Sequence, residues 1–242
     1  MLTEPAALEI LKALAAIAIM ATGCAFQAAV GIGLALFVVP LLALLDPAYI
    51  PGPMLLAGSV LAAATAWRER GAIDARGLRL SLLGLALGTV AGAFALKLAS
   101  GPALPKLFGV LILLAVMVSF FNRAVRPTTA GLALAGGASG IMGTMVGIHG
   151  PAIALAFQNA EPAAARAMLG AFFAVAYVGS VIALVLLGLF GWPELMRAAA
   201  LLPGVPIGFL AARHIAPFID RNTLRWTVLA ISAVSAVLLL SR

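Results

Sequence analysis

The chain has 242 residues, of which 64% are hydrophobic and 10% are charged, and its mean hydropathy is +1.18. Soluble domains carry about 25% charged residues, so this composition leaves too little polar surface for a water-soluble fold and predicts an integral membrane protein. The net charge of +7 comes from basic residues that lie between apolar runs, a pattern that reflects membrane topology and excludes nucleic-acid binding.

The reactive side chains exclude further classes. Cys24 is the single cysteine, so the chain forms no intramolecular disulfide, and no cluster of Cys, His and acidic residues has the spacing of a metal site. We therefore expect neither a metal nor a cofactor. Residues 1–12 run into a long apolar stretch without the small-residue cleavage site of a signal peptide, so we expect the first helix to be retained.

In chain order, the apolar runs predict ten segments of an all-α polytopic membrane protein, because a helix needs about 20 apolar residues to cross the bilayer. Six runs have the length of conventional spans: 8–29, 78–98, 104–121, 163–188, 195–212 and 224–240. Two shorter runs, 31–45 and 53–67, are separated by Asp46-Pro47 and Pro51-Gly52-Pro53. The stretch 129–158 contains too many glycines for one straight helix, and we divide it at Gly147–Pro151.

The distribution of basic residues favours ten crossings over eight. Ten crossings put ten of the 15 basic residues on one side, whereas eight crossings give nine against six and separate the two large arginine clusters. By the positive-inside rule the arginine-rich loops are cytoplasmic and the N-terminus lies outside. The residues on the predicted cytoplasmic side are Arg68, Arg70, Arg76, Arg79, Arg123, Arg126, Arg166, Arg213, Arg221 and Arg225.

The sequence also contains an internal repeat. An offset of 116 residues superposes Gly31 on Gly147, Gly88 on Gly204, Gly92 on Gly208 and Lys97 on Arg213 without a gap. We predict two homologous membrane repeats, 1–121 and 129–242, joined by a cytoplasmic linker at 122–128. Five crossings in each half make the repeats inverted, whereas eight crossings in all would make them parallel.

The two predicted breaks, Gly31–Gly33 and Gly147–Pro151, occupy matching positions in the two repeats. Each would open a new short helix, re-entrant or spanning only part of the bilayer, whose first N–H groups and positive dipole end attract an anion. We therefore predict a substrate site near the membrane midplane. Its candidate residues are Gln27, Gly31, Gly33, Thr144, Gly147, His149, Gly150 and Pro151.

Three of these residues also have a purely structural interpretation. His149 is the one titratable side chain in the predicted membrane interior, so it is our candidate for proton or ion coupling. Its imidazole would serve equally well to hydrogen-bond a broken helix. The Gln27 amide would bind an anion or bridge two helices, and for Thr144 helix packing is the favoured interpretation.

Five segments of the sequence together resemble the sulfite exporter TauE/SafE family. They are Gly31-Ile32-Gly33, Val39-Pro40-Leu41-Leu42, the loop from Arg68 to Asp74, Gly88-x-x-x-Gly92 and Gly147-x-x-Gly150-Pro151. The family's first motif usually continues as a glycine run, where this chain has Leu34 and Ala35. The resemblance covers nearly the whole chain and implies transport of sulfite or a related organosulfur anion across a bacterial inner membrane.

The resulting hypothesis is a permease that moves a small anion, sulfite or an organosulfonate, by alternating access between the two repeats. Its expected partners are the sulfur-containing anion and membrane lipid, and a homodimer is left open. The alternative is a passive channel for anions or small solutes. We expect no enzyme, because Cys24 or Ser139 with His149 lacks an acid to orient the base.

Overall fold

The computed structural model describes residues 4–30, 33–99, 104–121, 128–218 and 220–241, and every regular element in these ranges is helical. The α-helices there are α1 (Glu4–Val30), α2 (Leu34–Leu45), α3 (Gly52–Arg68), α4 (Ala75–Leu98), α5 (Leu104–Phe121), α6 (Thr129–Val146), α7 (Gly150–Phe157), α8 (Pro162–Leu186), α9 (Trp192–Leu201), α10 (Gly204–Ile215) and α11 (Arg221–Leu240). Short 3-10 turns occupy Pro47–Tyr49, Arg70–Ala72 and Ala216–Phe218. The predicted all-α fold is confirmed.

Six stretches of these helices are long and apolar enough to cross a membrane. They are Leu8–Ala29, Ala75–Leu98, Thr129–Val146, Ala163–Leu186, Trp192–Phe218 and Asn222–Leu240. The helices α2 and α7 have 12 and 8 residues, which is too short to cross about 30 Å of hydrocarbon alone. The six long stretches support the prediction of a polytopic membrane protein.

Four helices begin with an acidic or hydroxyl side chain that accepts hydrogen bonds from the first turn. The caps are Asp74 for α4, Thr128 for α6, Glu161 for α8 and Asp220 for α11. Each cap satisfies backbone N–H groups that have no acceptor within their own helix. Three of the eight acidic residues of the chain therefore serve as N-caps of these α-helices.

Glycine with a positive φ interrupts the helical path in both halves of the chain. Gly147 follows α6 with φ of 89°, and Gly33 precedes α2 with φ of 120°. L-residues with a side chain rarely adopt these conformations, so glycine is the residue that permits the turn. Gly31 and Ile32 lie outside the described residues.

The run 195–212, predicted as one span, is divided into α9 and α10 by a turn at Leu202 and Pro203. Pro206 has no N–H to donate to the Leu202 carbonyl, and its ring would crowd that oxygen in a continuous helix. The turn gives α10 a separate start at Gly204. The backbone stays in the right-handed helical region at Leu202 and Pro203, and Trp192–Phe218 as a whole is long and apolar enough to cross a membrane, so the predicted span is kept with a local interruption.

The offset of 116 residues also relates the observed helices. It brings α2 onto α7, α3 onto α8 and α5 onto α11, and it brings α4 onto the pair α9 and α10. The packing partners exchange in the same way, because α4 packs against α6 while α10 packs against α1. The helices α3 and α8 pack against each other, as do α5 and α11.

Glycines allow the close approach of α4 to α6 and of α10 to α1. A Cβ at Gly92 of α4 would lie 2.7 Å from the Ile141 carbonyl oxygen of α6, and one at Gly140 would lie 2.6 Å from the Leu85 oxygen. In the second pair, a Cβ at Gly204 would lie 2.7 Å from the Ile17 oxygen. Small residues at such contacts are how membrane helices reach close packing.

Loops from distant parts of the sequence meet at one end of the molecule. Arg166 Nε lies 3.4 Å from Glu69 Oε1, and Arg225 Nη2 donates to the Ser119 carbonyl at 2.7 Å. These contacts join the end of α3 to the start of α8, and the end of α5 to the start of α11. We call this end, which carries Arg68, Arg70, Arg76, Arg166 and Arg225, the arginine end.

Candidate functional site

A cavity of about 360 Å³ lies between the two halves of the chain. It is bounded by the end of α1, the first turns of α2 and α7, the end of α5, and one face each of α8 and α11. Its apolar wall includes Leu36, Ala154, Leu155, Leu169, Phe173, Val228 and Leu229. The volume is that of about a dozen water molecules, so it accommodates a small solute.

The starts of both short helices face this cavity. Gly33, Ala35 and Leu36 line it from α2, and Gly150, Pro151 and Ala154 line it from α7. The first-turn N–H groups of a helix have no acceptor within the helix, and its N-terminus carries a partial positive charge. Two helix starts that converge on one cavity favour an anionic ligand.

Gln27 and Tyr177 add polar side chains to the same region of the cavity wall, which we call the floor. Gln27 is 4% exposed and Tyr177 is 1% exposed, and neither side chain has a hydrogen-bond partner among the described residues. Because these polar atoms are not among the fully enclosed, unsatisfied ones, they are open to the cavity and free to bond a solute within it. The Gln27 amide and the Tyr177 hydroxyl are both able to donate to an anion.

An aromatic stack separates the cavity from the loop that precedes α7. The rings of Phe173 and Tyr177 are nearly parallel at a centroid distance of 5.7 Å, and the His149 ring lies 5.2 Å from that of Tyr177. On its other side Tyr177 packs against Gly58, where a Cβ would lie 3.0 Å from the ring. Tyr177 therefore contacts both halves of the chain.

Behind the stack, three polar side chains form a buried cluster. Ser180 Oγ lies 2.8 Å from Thr144 Oγ1 and 3.1 Å from His149 Nε2. The Ser139 hydroxyl donates to the His149 carbonyl, which ties α6 to the start of α7. His149 Nδ1 differs from the polar atoms that line the cavity: in the described part of the chain it is the one side-chain polar atom that is fully enclosed by protein and has no hydrogen-bond partner.

Two arginines line the cavity where it reaches the arginine end, a region we call the mouth. Arg166 comes from α8 and Arg225 from α11, and both side chains are half-buried. Among the described lining residues these two carry the full charges, and no acidic residue lines the cavity. The electrostatic field inside therefore favours anions.

The structure brings four of the eight predicted site residues to the cavity wall: Gln27, Gly33, Gly150 and Pro151. Thr144 and His149 lie in the cluster behind the aromatic stack. Gly147 faces α2 and the start of α3, since a Cβ there would lie 3.1 Å from Val39 Cγ2 and 3.7 Å from Met54 Sδ. Gly31 lies outside the described residues.

Sequence reasoning missed Tyr177, Arg166 and Arg225. Tyr177 lies within an unbroken apolar span, where a single aromatic residue gives no signal. The two arginines were interpreted as topology signals, and their proximity to the end of a long apolar span was the one available clue.

The fold and the cavity define a class: a multi-pass, all-helical membrane protein that encloses an electropositive cavity between its two halves. The chain belongs to the sulfite exporter TauE/SafE family, because the model of that family, described as "Sulfite exporter TauE/SafE", matches residues 15–239. Membership confirms the resemblance and implies a membrane transporter of the sulfite or anion exporter type. A transporter family is consistent with the expectation that the protein is not an enzyme. Comparison with curated proteins and with solved structures gives no match.

Proposed function

We propose that this protein is a secondary transporter that moves sulfite or an organosulfonate across the bacterial inner membrane by alternating access. The observation that carries the proposal is the cavity floor, where two helix starts meet the unpartnered side chains of Gln27 and Tyr177. This arrangement supplies hydrogen-bond donors and partial positive charge to an anion without a buried cation. The arginines at the mouth are consistent with an anionic substrate.

The predicted site residues have distinct roles in this proposal. Gly33 and Gly150, with Gly31, leave the first-turn N–H groups open to the anion, and Gln27 donates from its amide. Pro151 fixes the first turn of α7 without losing a useful donor. Gly147 forms the turn that directs the start of α7 toward the cavity. Thr144 hydrogen-bonds to Ser180, which also hydrogen-bonds to His149.

We further propose that His149 couples transport to protons. It precedes Gly150 in the chain and its ring contacts Tyr177, so it adjoins two residues of the cavity wall. Its unpartnered Nδ1 is available to bind a proton, and Ser180 orients the other ring nitrogen. A change of charge one residue from the binding site would alter the affinity for an anion.

Alternating access requires two bodies that move against each other. We propose that 1–121 and 129–242 are inverted repeats joined at 122–128, with ten crossings and the arginine end in the cytoplasm. The exchange of packing partners between the halves supports this arrangement, as does the Glu69 to Arg166 ion pair. Eight crossings would separate those two residues to opposite sides of the membrane.

The test is flux in proteoliposomes that contain the purified protein. Sulfite, sulfoacetate, taurine and sulfate are compared with a chloride control at two pH values. We expect saturable movement of at least one sulfur oxyanion and counter-transport against its own gradient. A fast flux that rises linearly with concentration would indicate the passive channel instead, and folded protein that moves none of these anions would contradict the proposed substrate.

A further inference from the structure

The mouth of the cavity carries two positively charged side chains that take no part in the proposed anion site at the floor. Arg166 and Arg225 line the cavity, and the described lining residues include no Asp or Glu, since Glu69, which pairs with Arg166, is not one of them. Topology alone would be satisfied by arginines on the outer surface, such as the exposed Arg70, which lies over the ring of the exposed Trp67. The two mouth arginines instead face the interior of the protein, between its halves.

The mouth and the floor are separate places. Arg166, Leu169, Phe173 and Tyr177 follow one another on the cavity face of α8 at helical spacing. Tyr177 is eleven residues beyond Arg166, which corresponds to about 16 Å along a helix. Leu169 and Phe173 form an apolar band between them, so one small anion cannot contact both ends.

The present partners of the two arginines leave much of their binding capacity free. Arg225 donates Nη2 to the Ser119 carbonyl at 2.7 Å, and a guanidinium has five N–H donors. Arg166 Nε lies at a long 3.4 Å from Glu69 Oε1, and the same oxygen is 3.2 Å from Arg68 Nε. One carboxylate therefore serves two guanidinium groups, and net positive charge remains at the mouth.

We infer that Arg166 and Arg225 form a second anion-binding site at the mouth, distinct from the floor, which receives the substrate at the arginine end. Its ligand class is an oxyanion with at least two free oxygens, such as a sulfonate or sulfite, because a guanidinium binds paired oxygens with two parallel hydrogen bonds. Chloride lacks such a pair. The inference rests on the proposed function in taking the cavity as the substrate's path.

Both arginines belong to the second half of the chain, and both hold partners in the first half. An anion that binds Arg166 competes directly with Glu69 for the guanidinium. This competition predicts opposite effects for the two sides of the ion pair: Arg166→Gln weakens oxyanion binding, whereas Glu69→Gln strengthens it.

The test measures sulfite binding to the purified protein by calorimetry and sulfite flux from each face of proteoliposomes. We expect Arg166→Gln and Arg225→Gln each to raise the half-saturating concentration at the arginine end about tenfold, with little change in maximal rate. Arg166→Lys and Arg225→Lys keep the charge but lose the paired geometry, so we expect an intermediate rise. Arg70→Gln removes a charge at the same end outside the cavity and is the matched control, with an expected change below about twofold.

The outcomes separate this inference from the proposed function. If the wild type shows saturable sulfite flux and the mouth variants behave like Arg70→Gln, the mouth site is overturned and the transporter stands. If sulfite neither binds nor moves, but phosphate binds and loses affinity in the mouth variants, the mouth site stands and the proposed substrate fails. If a glutamine variant does not fold, the sulfite affinities of the matching lysine variant and of Glu69→Gln are measured instead. An affinity equal to that of the wild type in both variants would overturn the inference.

Discussion

At the scale of single residues, Ser232 replaces a hydrogen bond that Pro40 removes. Pro40 lies inside α2 and has no N–H to donate to the Leu36 carbonyl, four residues earlier. Ser232 of α11 donates its hydroxyl to that carbonyl, and its oxygen also lies 2.7 Å from the Val228 carbonyl oxygen of its own helix. The proline of the first half is therefore tolerated because of a serine in the second half.

We predict that Ser232→Ala lowers the free energy of unfolding by about 1–2 kcal/mol, because the half-buried Leu36 carbonyl loses its donor. Adding Pro40→Ala to this variant should recover most of the loss, since an alanine in place of the proline can donate the missing helical hydrogen bond. The measurement is the unfolding midpoint in detergent. Ser235→Ala, at another buried serine of α11, is the control, and equal losses in both single variants would contradict the assignment.

Gly150 is a residue at which size, rather than backbone conformation, is expected to matter. A Cβ there would meet Phe173 Cζ at 3.8 Å, an ordinary contact, but a longer side chain would extend into the cavity. We predict that Gly150→Ala transports the substrate and that Gly150→Leu does not, although both reach the membrane. Flux normalised to membrane-inserted protein checks this, and normal flux by the leucine variant would remove α7 from the site.

His149 offers a test of proton coupling. We predict that His149→Gln flattens the pH dependence of transport, because glutamine retains hydrogen bonding but binds no proton in the physiological range. The other histidine, exposed His214 at the end of α10, provides the control: His214→Gln should leave the pH profile unchanged. A profile that survives His149→Gln would assign His149 to the structural cluster with Ser180 alone.

At the scale of elements, the contact between α4 and α6 depends on which glycines face the partner helix. Gly136 and Gly137 are neighbours, yet a Cβ at Gly136 would collide with the Ser81 carbonyl oxygen. A Cβ at Gly137 would lie 3.6 Å from its nearest atom, the Gly84 oxygen. The sequence indicates close helix packing here but does not show which of two adjacent glycines is required.

We therefore predict opposite results for one substitution at adjacent positions. Gly136→Ala should lower the free energy of unfolding by about 1–3 kcal/mol, because the backbone of α4 must move away. Gly137→Ala should be neutral or slightly stabilising, since alanine is the better helix former. Unfolding midpoints of the two variants in the same detergent decide, and similar losses would show that α6 packs in another register.

The predictable and unpredictable elements differ in physical kind. Glycine and proline are local signals, so the sequence located the helix ends at Gly33, Gly147 and Pro151. The division of α9 from α10 was missed although Pro203 and Pro206 mark it, because the apolar run continues through the turn. Length and hydropathy describe a run as a whole and do not register a two-residue turn within it.

At the scale of the whole molecule, the cavity combines residues that are far apart in the sequence. Gln27, Tyr177 and Arg225 line it together, although about 150 residues separate Gln27 from Tyr177 and about 50 separate Tyr177 from Arg225. Periodicity and motifs act over one element, so they identify the helix starts but not the side chains that other helices bring to them. This is why the sequence predicted four residues of the cavity wall but not the side chains at the mouth.

We predict that cysteines introduced at Gly71 and Asn159 react with a membrane-impermeant reagent from the same, cytoplasmic side, while one at Gly191 reacts from the other side. All three positions are exposed, and buried Cys24 is replaced by alanine as the background. Ten crossings require this pattern. Labelling of Gly71 and Asn159 from opposite sides would establish eight crossings and contradict the inverted arrangement.

The packing of α1 against α10 has a consequence for how the protein is made. Gly204, where α10 begins, is 174 residues beyond Val30, where α1 ends. At about 5–20 residues per second, the ribosome needs roughly 10 to 35 s to synthesise that interval. During this time the face of α1 that will receive Gly204 and Gly208 is open to lipid or to other nascent helices. The helix α1 is thus made long before the helix against which it packs most, and its insertion must be stable without that contact.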